Sequence, residues 1–270
     1  MDTRWAARVV ISSFGVRIRV CTDDRSLWPL MLDRLPPHVP LSDDVVPDHN
    51  CSLSAAGHHH GRLIYQMHAD AELVVQTPDR EFALAVFESA LRSTVSSNAV
   101  GWVFVHAGSV AWKGRGIIIP APSEHGKSTL VAALLRLGAT YYSDEFAVLD
   151  RQGRVHAFPK PLSLREEGAL PQRLAANELG AAIGSDAIPI AVIAATSFAA
   201  GAPWPPPRGS RAAAVLALLG NTVAARSAPG HTMQVLTRAV KGAVLLEGTR
   251  PEASLVAASL LEIAERAAGA

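Results

Sequence analysis

The chain has 270 residues, nearly half of them apolar (49%), and a formal net charge of +1. That length can bury a sizeable core as one large domain or two modest ones, and the near-neutral balance excludes broad attraction to nucleic acid or a membrane surface. Two isolated cysteines, Cys21 and Cys51, make neither a disulfide scaffold nor a zinc site, and no apolar run approaches the roughly 20 residues that span a bilayer. Met1-Asp2-Thr3-Arg4-Trp5 carries no signal-peptide pattern, so the expected compartment is cytoplasmic. Lysine occurs only at Lys113, Lys127, Lys160 and Lys241.

Residues 1–76 read as short strands between polar or proline-rich turns. Val9-Val10-Ile11 and the alternating Val16-Arg17-Ile18-Arg19-Val20 open the series. Cys51-Ser52-Leu53, Leu63-Ile64-Tyr65-Gln66-Met67 and Leu73-Val74-Val75 complete it. His58-His59-His60, flanked by Gly57 and Gly61, reads as an exposed turn. Consecutive histidines point in different directions, which disfavours their joint capture of one metal ion. From Asp79 to about Ser97 the period becomes helical, with Phe82, Val86, Leu91 and Val95 on one face, and Thr77-Pro78-Asp79 opens the helix. The expectation is an N-terminal α+β module over 1–98 and a second domain over 99–270.

The second domain opens on Val103-Phe104-Val105-His106-Ala107-Gly108, a strand ending in small residues. Val110 to Lys113 and Gly116 onward read as two more strands joined at Gly114-Arg115. Ile117, Ile118 and Ile119 are contiguous and β-branched, which suits a strand buried on both faces. The next residues, Ala121-Pro122-Ser123-Glu124-His125-Gly126-Lys127-Ser128, have the length and ending of a Walker A loop. Leu130, Leu134 and Leu137 then recur at helical spacing before Gly138. Backbone N–H groups at a helix N-terminus face an anion, and the helix dipole adds to the attraction. Ser123, Glu124, His125, Gly126, Lys127, Ser128 and Thr129 are therefore the candidate nucleotide-binding set. Lys127 is placed for the β- and γ-phosphates and the Ser128 hydroxyl for Mg²⁺. Ala121 stands where the motif has its first glycine, and the role of Glu124, unfavourable beside phosphate, stays open.

Downstream, residues 139–145 form a strand ending in Asp144-Glu145, Phe146 to Leu149 continue it, and Asp150 to Gly153 make a hairpin turn. Residues 169–187 read as a polar helical excursion, Ile188 to Ile193 as strand, and Pro203 to Arg208 as stiff loop. Helices are expected over 210–221 and 230–241. A last strand covers Val244 to Gly248, and a terminal helix from Pro251 carries Val256, Leu260 and Ile263 on its core face.

His106, the loop ending in Gly126-Lys127-Ser128, then Gly138 and Asp144-Glu145 together resemble the HPr kinase/phosphorylase family. Its shorter branch, which includes lasso-peptide kinases of natural-product pathways, is the most similar. The resemblance covers about residues 102–168. It implies an HPr-kinase/PEP-carboxykinase-like P-loop fold of α/β class with a mixed sheet, in addition to the N-terminal α+β module. It also implies ATP and Mg²⁺ as cofactors, self-association into a homo-oligomer, and transfer of the γ-phosphate to a hydroxyl of a peptide, protein or small molecule.

By the same resemblance Asp144 is the catalytic aspartate, Glu145 a metal-binding acid beside it, His106 the site histidine and Arg165 the arginine of the signature segment. A glutamate of that segment falls on Ser163, and the loop associated with the reverse reaction has no counterpart, which argues against HPr itself as acceptor. Read from the residues alone, His106 is either a γ-phosphate or Asp144 contact or a buried structural histidine. Glu145 is either a metal ligand or a solvated acid, and it faces the site only where the strand gives way. A P-loop hydrolase and a non-catalytic nucleotide-binding subunit remain as rival readings.

Overall fold

The computed structural model describes residues 5–36, 39–42, 44–121, 126–164, 172–223 and 225–267. Contacts divide the chain into two compact units, Met1–Val100 and Gly101–Ala270. The architecture is mixed α/β.

In the first unit the strands are β1 (Ala7–Ser13), β2 (Val16–Thr22), β3 (Leu41–Ser42), β4 (His49–His59), β5 (Arg62–Ala69) and β6 (Glu72–Thr77). They form one mixed sheet in the order β3-β1-β2-β4-β5-β6, with β2 and β4 parallel and the other pairs antiparallel. Alternation places Ile11, Ile18, Val20, Cys51, Leu53 and Met67 in the core. Among the described residues two helices belong to this unit, α1 (Trp28–Leu32) and α2 (Arg80–Asn98). The Asp79 side chain caps α2, accepting from the N–H groups of Glu81 and Phe82. The face of α2 that packs inward is Leu84, Phe87, Leu91 and Val95, whereas Phe82 is exposed. The sequence reading had the right period and the wrong phase at that end: Ala83 and Leu84 of the same turn are buried, and Phe82, two residues before Leu84, lies about 200° round the helix from it. His58 and His59 extend β4, and all three histidines of the run are exposed.

The second unit is built on β7 (Val103–Trp112), β8 (Arg115–Pro120), β9 (Thr140–Ser143), β10 (Phe146–Leu149), β11 (Val155–His156), β12 (Leu162–Leu164), β13 (Gln172–Leu174), β14 (Ile190–Phe198), β15 (Arg208–Gly209) and β16 (Val244–Arg250). Eight of these strands make a mixed sheet ordered β11-β10-β7-β8-β14-β16-β15, with β9 also on β7. β7 is one ten-residue strand where the sequence suggested two. It turns into β8 through Lys113-Gly114, both at positive φ, the geometry of a tight two-residue hairpin. β8, β14 and β16 run parallel, so their C-terminal ends share one edge of the sheet.

Helices cover both faces of this sheet. Ile117 and Ile119 pack with α3 (Lys127–Arg136) and α6 (Ala253–Ala267), while Ile118 joins α4 (Arg211–Leu219) and α5 (Pro229–Ala239) on the opposite side. That is why three β-branched residues in a row are tolerated in β8. Leu130, Val131, Leu134 and Leu135 form the buried stripe of α3, and Leu137, beyond its last turn, is exposed. The expected excursion over 169–187 reduces, among the described residues, to β13 and a 3₁₀ turn at Ala176–Leu179. Polarity there reflects a surface segment lacking an apolar stripe to bury. No helix among the described residues is long and apolar enough to cross a membrane.

Candidate functional site

The site lies where β8 gives way to α3. Ala121 is buried at the end of the strand, and α3 begins directly after Gly126. Ser123, Glu124 and His125 fall outside the described residues, as does Arg165. Gly126 takes φ +75°, a left-handed conformation open to glycine at little cost. Its carbonyl accepts both the Leu130 N–H at 3.1 Å and Arg250 Nη2 at 2.7 Å. Gly108 of β7 serves a different need: a Cβ there would stand 2.6 Å from Val131 Cγ2 and 3.2 Å from Lys127 Cγ, so its absence lets the first turns of α3 lie directly on the strand.

Lys127, the first residue of α3, is buried against that strand. Its ammonium donates to His106 Nε2 at 2.9 Å and reaches the Ala121 carbonyl at 3.5 Å. An accepting Nε2 assigns the ring proton to Nδ1. Burial, then the neighbouring charge of Lys127, holds His106 below its ordinary pKa, so the imidazole is a neutral acceptor. Burial also lowers Lys127, opposed by the carboxylates of Asp144 and Glu145.

The acidic pair occupies a break in the sheet. β9 and β10 pair with successive parts of the same edge of β7, and Asp144-Glu145 is the bend between them. The Ser143 hydroxyl makes the bend: it accepts the N–H groups of Glu145 and Phe146 and donates to the Phe158 carbonyl at 3.0 Å. The strand therefore does not persist through the pair, and the two acids escape the alternation that would send them to opposite faces. Asp144 is 5% exposed and bonded to the Ser128 hydroxyl. Its Oδ1 is buried with no partner among the described residues. Burial lifts its carboxyl from 3.8 to about 6, against the pull of Ser128, Lys127 and Lys160. Glu145 lies 3.4 Å from Lys160 Nζ.

The fold thus gathers His106, Gly126, Lys127, Ser128, Asp144 and Glu145 around the start of α3, and leaves Thr129 exposed on that helix. The donor set fits Mg²⁺: a hydroxyl beside a carboxylate, one of whose oxygens is buried without a partner, and a second acid alongside are the hard oxygens this ion takes from protein while phosphate and water supply the rest. Among the described residues no three His, Cys, Asp or Glu side chains converge into an all-protein metal cage.

Two participants escaped the sequence reading. Lys160 lies in Pro159-Lys160-Pro161, and its advance signals were lysine scarcity and its place in a charged, proline-bearing stretch that follows the acidic pair. Arg250 ends β16, far along the chain, and no local pattern marks it. Compared with protein-family models and with curated proteins, the chain matches none.

Proposed function

We propose that the chain is an ATP-dependent, Mg²⁺-requiring phosphotransferase of HPr-kinase-like P-loop fold, passing the γ-phosphate to a hydroxyl of a peptide, protein or small molecule. The observation that carries this reading is the junction of Lys127 and Ser128, at the head of α3, with the buried Asp144 on the facing strand break. A glycine-led helix N-terminus with a buried ammonium binds a polyphosphate tail, and a carboxylate beside it serves a cation or a proton.

Each residue has a definite task. The amides at the start of α3 and the Lys127 ammonium hold the phosphates, and His106 supports that ammonium from β7. Ser128 and Asp144, with Glu145 beside them, are the residues that would hold Mg²⁺; bound there, the ion neutralises charge on the phosphate oxygens. Asp144 also suits proton removal, because its buried carboxylate sits beside Ser128 at the head of α3, within the field of Lys127. As the acceptor oxygen bonds to the γ-phosphorus, the bond from that phosphorus to the β,γ-bridging oxygen breaks. ADP leaves with the electron pair, and the acceptor proton passes to the Asp144 carboxylate. Phosphoryl transfer asks little beyond positioning and charge neutralisation, which this set supplies.

The test is transfer of label from γ-labelled ATP to serine-, threonine- and tyrosine-containing peptides and to small polyols, with and without Mg²⁺. Label on an acceptor, absent with Asp144→Asn, supports the proposal. Release of inorganic phosphate alone assigns a hydrolase. Nucleotide binding with no turnover on any acceptor or water assigns a regulatory subunit.

A further inference from the structure

Arg250 is a buried polar group beside α3 that the mechanism above leaves without a task. It is 2% exposed at the C-terminal end of β16. Nη2 donates to the Gly126 carbonyl at 2.7 Å and Nη1 to the Pro251 carbonyl at 3.1 Å, while Nε is buried with no partner among the described residues. Among the described residues no carboxylate pairs with it, and burial alone acts on its pKa, downward. A buried guanidinium without a counter-charge is costly. Here it also stands at the positive end of a helix whose first residue is a buried lysine. Three like-signed influences converge where the described residues offer no anion to Arg250.

We propose that Arg250 is a positioning residue for the phosphate site: it clamps the Gly126 carbonyl so that the Lys127 amide faces the anion, and its charge is balanced when a polyphosphate binds. This rests on the phosphate-binding reading above and adds to it a group from the far end of the chain. The clamp follows from peptide geometry. In a trans peptide the carbonyl and the next N–H point in opposite directions. Holding the Gly126 oxygen toward Arg250 and Leu130 turns the Lys127 N–H, one of the donors a helix cannot satisfy internally, the other way.

Thr196 gives a second, separate sign. It lies on β14, whose partner strand β16 aligns Thr196 with Gly248 and Phe198 with Arg250, so Thr196 and Arg250 share the face of the sheet that carries α3. It is 4% exposed and its hydroxyl has no partner among the described residues. Both groups belong to the C-terminal ends of parallel strands beside β8, where open α/β sheets take their ligands.

The experiment measures, on the full chain, melting temperature without ligand and calorimetric affinity for magnesium-ATP and for inorganic tripolyphosphate. The variants are Arg250→Met, Arg250→Lys and Thr196→Val. Expected for Arg250→Met is a ligand-free melting temperature within about 2 °C of wild type and both affinities weaker by about tenfold to a hundredfold. Arg250→Lys, which keeps the charge and one donor, recovers part of the loss. Thr196→Val weakens both ligands about threefold at unchanged stability. Affinity that is unchanged in folded Arg250→Met overturns the inference. So does loss of melting temperature in step with affinity in all three variants, which makes Arg250 a buttress only. If Arg250→Met does not fold, Arg250→Lys and Thr196→Val decide by the same criteria. Wild-type protein that binds neither ligand removes the phosphate-binding reading itself, whereas wild-type binding with unaffected variants removes only the role of Arg250.

Discussion

Replacing Asp144 with asparagine separates stability from function at one atom pair. The carboxyl is buried, and burial lifts it from 3.8 to about 6. The folded protein therefore holds this proton more tightly than the unfolded chain. The group's stabilising contribution is complete below about pH 4 and is lost as pH rises through about 6. At pH 7.5 the ionised form weighs against the ligand-free fold by about 3 kcal/mol. Asparagine keeps the shape and removes the charge, while Lys127 loses a nearby counter-charge and returns part of the gain. The net expectation for Asp144→Asn at pH 7.5 is a stabilisation of about 1–3 kcal/mol, or roughly 3–10 °C in melting temperature for a unit of this size. At pH 4.5 the two proteins converge, because wild-type Asp144 is then protonated. The assay is thermal unfolding of both proteins between pH 4.5 and 7.5, repeated with magnesium-ATP, which is expected to stabilise wild type more than the variant. A variant less stable than wild type at pH 7.5, or a difference independent of pH, refutes this reasoning.

Other perturbations test neighbouring parts. Gly126→Ala places a Cβ 2.7 Å from Arg250 Nη2 at a left-handed φ; urea unfolding is expected to register a loss of at least about 1–2 kcal/mol, together with weaker ATP binding. His106→Leu removes the imidazole acceptor from the buried Lys127 ammonium, so about 1–3 kcal/mol of stability should disappear at pH 7.5. Because burial keeps His106 below its ordinary pKa, its contribution is present above about pH 6.5 and fades as pH falls; a stability gap between wild type and His106→Leu that widens on acidification contradicts that sign. Leu260→Ala opens the contact between α6 and the sheet, at an expected 2–5 kcal/mol or so; a loss below about 0.5 kcal/mol would mean that α6 does not close this core.

Much of the architecture was legible because it follows local rules. Asp79 marks the start of α2 since its carboxylate caps free N–H groups whatever lies elsewhere. The Ile117–Ile119 run could only belong to a strand covered on both faces, and Gly126-Lys127-Ser128 after it marked the turn into α3. Less legible were features set by distant neighbours. The run from Val103 to Trp112 looked like two strands because Gly108 interrupts it, yet the glycine is there to admit α3. Phe82 and Val86 share helical spacing, yet the buried stripe runs through Leu84, Phe87, Leu91 and Val95, because spacing gives a stripe its period but the sheet beneath decides which face is covered.

The candidate site divides in the same way. Lys127, Ser128 and the acidic pair belong to one stretch of chain, and short-range chemistry was enough to propose them. Whether Asp144 and Glu145 could serve one site depended on the Ser143 bend, and no periodicity encodes that side-chain hydrogen bond. Lys160 is held near the site by hydrogen bonds from the Tyr141 and Ser143 hydroxyls to the Lys160 and Phe158 carbonyls, and Arg250 arrives on β16 by sheet pairing, contacts that no sequence period encodes. Residue types and their spacing therefore indicated which elements form and where the glycine-led turn into α3 lies. Only the packed sheet could bring a buried arginine from the end of β16 to the carbonyl of Gly126, because burial and charge balance are properties of neighbours in space.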